Sequence, residues 1–72
     1  MSKFAYYDRE ADIVWLPIGG SVDIRGDEQS WGLIARDRST GEVESIEIWS
    51  ASEVLPSWLL DNLPSPGRGN ST

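Results

Sequence analysis

The chain has 72 residues, no cysteine and no histidine, and its 12 acidic and 6 basic residues leave a formal net charge of -6. Without cysteine there is no disulfide or thiolate zinc site, without histidine the commonest general base and metal ligand are missing, and the negative charge disfavours nucleic-acid binding. A domain of this size buries only about 60 % of its unfolded surface, so oligomerisation is the remaining route to a larger core.

The N-terminus, MSKFAYYD, lacks the arrangement of a signal peptide. No apolar run approaches the ~20 residues that a membrane span requires. We therefore expect a cytoplasmic protein without a membrane contact and without a cofactor. The acidic charge favours a basic protein partner, although ordinary solubility explains the same charge.

Five short segments have the alternation or composition of β-strands. They lie at residues 3–7, 12–18, 21–28, 31–37 and 43–49. Short polar or glycine-containing turns separate them, among them Gly19–Gly20 and the turn at Gly41. Because strands joined by short turns pair antiparallel, these segments predict a β-meander of four to five strands.

The spacing of apolar residues becomes helical after Trp49. Ser50 and Glu53 match a capping box and predict a helix from the next residue, Ala51. Pro56 is expected to interrupt that helix. Trp58 follows on a second helical turn and is the tryptophan expected in the core.

The predicted domain is therefore α+β, with the antiparallel sheet covered on one face by a short C-terminal helix. It spans residues 1–63. The tail at 64–72 has no periodicity and is expected to be disordered.

Three carboxylates, Asp8, Glu10 and Asp12, alternate near the start of the chain in the stretch YYDREADIVWLPI. A calcium loop of the EF-hand type needs a glycine directly after the third ligand, but Ile13 follows Asp12 and continues into a strand. We therefore interpret Asp8 as a turn residue that accepts backbone hydrogen bonds, and Asp12 as the residue that opens the next strand. No catalytic or metal-binding residue is assigned here.

Three stretches, YDREADIVWLPI, GLIARD and GEVESIEIWSASEVLP, resemble in order and spacing the bacterial domain-of-unknown-function family 2283. The matching positions are Tyr7, Asp8, Glu10, Ala11, Asp12, Gly32, Asp37, Gly41, Ile46, Glu47, Ile48, Ala51 and Ser52. The match spans about residues 4–56, and it departs from the family pattern at Trp15, Pro17 and Trp49. The resemblance implies a small β-meander with a helix and supplies no catalytic residue. Some members lie beside genes for small toxin-like proteins, which implies an antitoxin-like role.

Four tryptophans are many for a chain of this length. Filling the core accounts for one or two of them. Trp15, Trp31 and Trp49 lie on separate strands, and a sheet covered on one face by one short helix leaves its other face open. An exposed apolar patch rich in tryptophan is typical of a protein interface, so these residues predict a homodimer that buries the open face or joins edge strands.

Glu47 lies between Ile46 and Ile48 and points away from the face that those isoleucines share. It is either a solvent-facing strand residue or a buried partner for Arg36 or Arg25 across the sheet.

Two functional hypotheses follow. The first is a non-enzymatic, homodimeric interaction module whose acidic surface binds a small basic protein. The second is a ligand-binding or metal-binding protein, or a small enzyme, with a pocket at the dimer interface. Its candidate residues are Asp8, Glu10, Asp12 or Asp37 together with Tyr6 or Tyr7.

Overall fold

The computed structural model of the chain describes residues 4–66. These residues form a five-stranded antiparallel sheet followed by two short helices, which confirms the predicted α+β class. The elements are β1 (Tyr6–Asp8), β2 (Ile13–Pro17), β3 (Ile24–Gln29), β4 (Gly32–Asp37), β5 (Val43–Trp49), α1 (Ala51–Val54) and α2 (Ser57–Asp61).

The strands lie in the order β1-β2-β5-β4-β3. Successive strands pair as neighbours within two blocks, β1–β2 and β3–β4–β5, and the blocks join where β2 pairs with β5. The chain therefore crosses one end of the sheet between β2 and β3. Gly19 and Gly20 lie in this crossing segment and not in a tight turn between adjacent strands.

An extra residue in β5 holds the crossing segment in place. The register shifts so that Glu44 has no partner on β4, which makes it a β-bulge. Its carbonyl accepts hydrogen bonds from the amides of Ile18 and Gly19, and its Oε1 accepts from the amide of Ser21 at 2.8 Å. A Cβ at Gly19 would overlap this carboxylate, so the first glycine provides the space for the contact.

Two turns of the sheet are built alike from the sequences DREAD and DRSTG. In each, the carboxylate of the first aspartate, Asp8 or Asp37, accepts hydrogen bonds from the amides two and three residues on. The aspartate's carbonyl accepts from the amide four residues on. That last residue is left-handed in both turns, with φ 60° at Asp12 and 79° at Gly41.

The helices cover one face of the sheet near β1, β2 and β5. The core consists of the buried Tyr7, Val14, Ala51 and Leu60, with four partly buried residues packed around them. Those four are Leu16, Ile48, Leu55 and Leu63. The prediction for Trp58 was wrong: it is 67 % exposed, because α2 turns Leu60 toward the sheet instead.

Residues after α2 run beside β1. The amide of Tyr7 donates to the carbonyl of Pro64 at 2.8 Å, and the Arg9 guanidinium donates to the Ser65 hydroxyl at 2.9 Å. Two residues that the sequence assigned to the tail, Pro64 and Ser65, thus contact the first hairpin. The rest of the predicted tail, 67–72, lies outside the described residues.

Candidate functional site

The aspartate that ends the first turn, Asp12, also anchors helix α1. Its Oδ1 accepts hydrogen bonds from the Tyr7 hydroxyl at 2.6 Å and from the Ser52 amide at 2.9 Å. Its Oδ2 accepts from the Ser52 hydroxyl at 2.7 Å, and its carbonyl accepts from the Ala51 amide at 2.9 Å. One side chain therefore joins the first hairpin to the helix, across 40 residues of sequence.

Asp12 takes the capping role that the sequence predicted for Ser50. Ser50 is left-handed, with φ 51°, and its side chain makes no capping hydrogen bond. The capping box with Glu53 was therefore wrong. Asp12 and Ser50 are the two non-glycine residues with positive φ among residues 4–66, and they meet at this junction. The hydrogen bonds that converge there hold both in a conformation that is otherwise disfavoured.

The hydrogen bonds at the junction shift two pKa values in opposite directions. The bonds from Tyr7 and Ser52 hold the pKa of Asp12 below its ordinary value. The bond to Asp12, together with burial, raises the pKa of Tyr7. At neutral pH the pair is therefore a neutral phenol donating to a carboxylate, which is the arrangement of a structural hydrogen bond.

The remaining acidic turn residues have structural contacts of their own. Asp8 forms the predicted turn bonds, and Glu10 is exposed beside it. The Ser21 hydroxyl and the amides of Thr40 and Ser39 lower the pKa of Asp37, whose carboxylate closes the second turn. No three carboxylates within residues 4–66 lie close enough to hold a metal ion.

The sheet face opposite the helices carries most of the aromatic residues that the sequence singled out. Because directly paired residues share a face and side chains alternate along each strand, the register defines this open face in four rows. The rows are Tyr6–Trp15–Glu47–Leu33–Glu28, Asp8–Ile13–Trp49, Pro17–Ser45–Ala35–Gly26 and Asp37–Ile24. The prediction that some of the three tryptophans face away from the helix thus holds for Trp15 and Trp49.

Glu47 lies among the aromatic residues of the open face. Its Oε1 accepts a 3.1 Å hydrogen bond from Nε1 of Trp49. Trp15 is its direct partner on β2, and the Trp15 ring lies 5.3 Å from that of Tyr6, tilted by 31°. Leu33 is its partner on β4. The carboxylate is thus half-buried between apolar side chains on both neighbouring strands.

The alternative proposed for Glu47, a pairing with Arg36 or Arg25, does not form. Arg36 pairs instead with Asp27 at 3.3 Å on the face that carries the helices. Arg25 is opposite Arg36 in the register and shares that face.

Trp31 adjoins this cluster next to Trp49, and Trp58 lies away from it. Trp31 is in the turn between β3 and β4, is 41 % exposed, and accepts a 2.8 Å hydrogen bond from the Trp49 amide through its carbonyl. Trp58 projects from α2 in the opposite layer. Three of the four tryptophans thus lie at or beside the open face, and Trp58 is exposed on the helical layer.

A depression of about 320 Å³ lies on the first turn and is lined by Asp8, Arg9, Glu10, Ser65 and Pro66. The Arg9 guanidinium already donates to the carbonyls of Leu60 and Leu63, at 3.0 and 2.9 Å. These bonds give Arg9 a structural role at the C-terminal end of α2. Arg9 is the one basic residue that lines the depression, and its guanidinium is already engaged in these bonds.

Comparison with protein-family models, curated proteins and solved structures finds no match to this chain. The resemblance to family 2283 stays a prediction. No helix within residues 4–66 is long and apolar enough to cross a membrane.

Sequence reasoning missed Ser52 and Arg9, which hold the helices to the first hairpin. The recurrence of Asp-Arg at positions 8 and 37 was a usable signal for the two similar turns. The partners of Ser52 and Arg9 carried no such signal, because they are more than 35 residues away in sequence.

Proposed function

We propose that the chain is a non-enzymatic protein-interaction module that binds a basic protein through its open face. The observation that carries this proposal is the cluster of Tyr6, Trp15 and Trp49 around Glu47. Half-buried aromatic side chains on an unpartnered sheet face are typical of interface hot spots. The net charge of -6 favours association with a positively charged partner.

Three of the four carboxylates named for the enzymatic hypothesis have structural contacts that explain them, and the fourth, Glu10, is exposed. Asp8 and Asp37 close turns, and Asp12 anchors α1. The resemblance to family 2283 supports a small toxin-like protein as the partner, which would make the chain antitoxin-like.

A homodimer through the same face is the competing proposal, because a domain of this size has little core. The charge distribution disfavours it. The rows of the open face include Asp8, Glu28, Asp37 and Glu47 but no lysine or arginine. Two such faces brought together would place carboxylates against carboxylates, which is destabilising without a cation between them. A dimer joined at the edge strand β3 would avoid this contact.

The test is a pull-down from the native host with the full chain as bait, washed at increasing salt. Any protein released by salt is then purified and its affinity measured against bait variants. We expect Trp15→Ala to lose the partner and Trp58→Ala, which removes an exposed tryptophan from the other layer, to keep it. Thermal melts establish that each bait is folded. Should Trp15→Ala fail to fold, Glu28→Lys provides a second test, because it reverses a charge at the exposed rim of the same face.

The proposal is wrong if no protein binds directly, or if both tryptophan variants bind the partner equally well. Sedimentation of the free chain at high micromolar concentration tests the homodimer. A dimer that Trp15→Ala dissociates would assign the open face to a second copy instead.

A further inference from the structure

The carboxylate of Glu47 is the polar centre of the open face, and only one of its two oxygens accepts a hydrogen bond from the described residues. Oε1 is held by the indole Nε1–H of Trp49 at 3.1 Å. Oε2 has no hydrogen bond or ion pair to any residue of the described chain, 4–66. A carboxylate has room for several donors, so this oxygen is open to a further one.

The surroundings of Glu47 limit what can cover it. Trp15 and Leu33 flank it on the two neighbouring strands, and cross-strand side chains of this kind approach within about 5 Å at their Cβ atoms. A partner that buries the open face removes water from this carboxylate. An unpaired buried carboxylate is strongly unfavourable, so the partner must bring a cation to this position.

We propose that Glu47, Trp15 and Trp49 form a subsite for a single arginine side chain of the basic partner. The proposal rests on the proposed function of the open face. In this subsite the guanidinium donates to Oε2 of Glu47 and stacks on an indole ring. A planar guanidinium satisfies both requirements together, because it offers donors in its plane and a flat face for an aromatic ring.

Arginine fits this subsite better than a lysine side chain or a second copy of this chain. A lysine ammonium is more strongly hydrated and cannot stack, so it gains less from the indole rings. The paired strand residues of a second copy bring no cation on the same face, since Arg25 and Arg36 lie on the other face.

The probe is triarginine amide, titrated into the full-length chain at low and at raised salt. The four tryptophan indole signals of a nitrogen–proton correlation spectrum report where it binds, and Trp→Phe variants assign them. Trilysine amide and tricitrulline amide serve as controls for charge and for shape. We expect triarginine to move the signals of Trp15 and Trp49 more than that of Trp58, and to bind more tightly than trilysine.

A pair of charge-matched variants isolates the subsite. Glu47→Gln keeps an oxygen acceptor for Trp49 but removes the charge, and we expect it to weaken triarginine binding by about tenfold or more. Glu28→Gln removes the same charge at the exposed rim of the same face. We expect it to weaken triarginine binding by roughly twofold or less, as for exposed ion pairs.

Equal weakening by both variants would mean diffuse attraction and would overturn the subsite. So would the absence of shifts at Trp15 and Trp49, or tighter binding of trilysine. In those cases the proposed function still stands if the Trp15→Ala bait loses its protein partner and the Trp58→Ala bait keeps it. If both baits keep the partner, the open face is not the binding surface and both proposals fail.

Discussion

The hydroxyl of Tyr7 lies 2.6 Å from Oδ1 of Asp12 and donates a hydrogen bond to it. Tyr7 belongs to the core and Asp12 holds the first turn of α1, so this bond connects the sheet, the first hairpin and the helix. The aspartate performs this role with a left-handed backbone, φ 60°, that glycine adopts at the equivalent place in the second turn. The side chain is therefore the reason that a glycine does not occupy position 12.

The Tyr7–Asp12 bond predicts how stability depends on pH. The pKa of Asp12 in the folded chain lies below its ordinary value of 3.8, so its contribution to stability is complete above that value and is lost as the pH falls through the lowered one. The pKa of Tyr7 in the folded chain lies above its ordinary value of 10.0. Its contribution to stability is therefore complete below 10.0 and is lost as the pH rises through the raised pKa. We expect Asp12→Asn to lower the melting temperature at neutral pH and to flatten its dependence on pH at the acid end.

The same substitution should bring the pKa of Tyr7 back toward its ordinary value. Tyrosinate absorbance measures this in a Tyr6→Phe background, because the chain has two tyrosines. Glu10→Gln is the matched control, since it removes a carboxylate from the same turn that does not contact Tyr7. Coincident pH profiles for Asp12→Asn and Glu10→Gln would contradict the prediction.

The second turn allows the backbone effect to be measured by itself. A Cβ at Gly41 would meet no atom within 4 Å, but φ is 79° there. We therefore expect Gly41→Ala to lower the free energy of unfolding by about 1 kcal/mol, from backbone strain alone. Gly20 has equally open surroundings without a positive φ. Gly20→Ala should change stability by less than about 0.5 kcal/mol in urea unfolding, and an equal loss in both variants would refute this explanation.

Arg9 links the first turn to the end of α2, and its fork geometry is essential to that link. It donates to the carbonyls of Leu60 and Leu63 and to the Ser65 hydroxyl. Lysine cannot reach three acceptors in these directions, so Arg9→Lys should lower the free energy of unfolding by about 1 kcal/mol.

Arg38→Lys is the control for Arg9→Lys, because Arg38 occupies the same place in the second turn and its side chain makes one exposed ion pair, to Asp23. We expect a change below about 0.5 kcal/mol for that variant. Urea unfolding measures both, and a larger loss at Arg38 than at Arg9 would show that the link is not important for stability.

The exposure of Trp58 predicts an unusual ranking of substitutions in α2. Leu60 is buried against the core, so Leu60→Ala should lower the free energy of unfolding by about 3 kcal/mol. Trp58 is 67 % exposed, so Trp58→Ala should stay within about 0.5 kcal/mol of the parent chain. Chemical denaturation decides the matter, and the reverse ranking would mean that α2 packs with its other face toward the sheet.

Several features of the fold could be predicted because their causes are local. The alternation of Ile46, Glu47 and Ile48 in β5 reflects two faces with different surroundings, and it is visible in a short window of sequence. The turn role of Asp8 is equally local, because its carboxylate bonds to amides two and three residues on. The predicted start of α1 at Ala51 was also correct, although the capping box between Ser50 and Glu53 on which it was based does not form.

The sequence by itself thus determined the α+β class, a sheet of four to five strands, the turn role of Asp8 and the start of the first helix. Tertiary structure alone decided that β2 pairs with β5, that Asp12 and not Ser50 anchors α1, and that Leu60 and not Trp58 enters the core. It also decided that Glu47 lies between Trp15 and Leu33. The physical reason is that each of these outcomes depends on which distant groups meet when the chain closes, and neither spacing nor composition in a short window of sequence encodes that meeting.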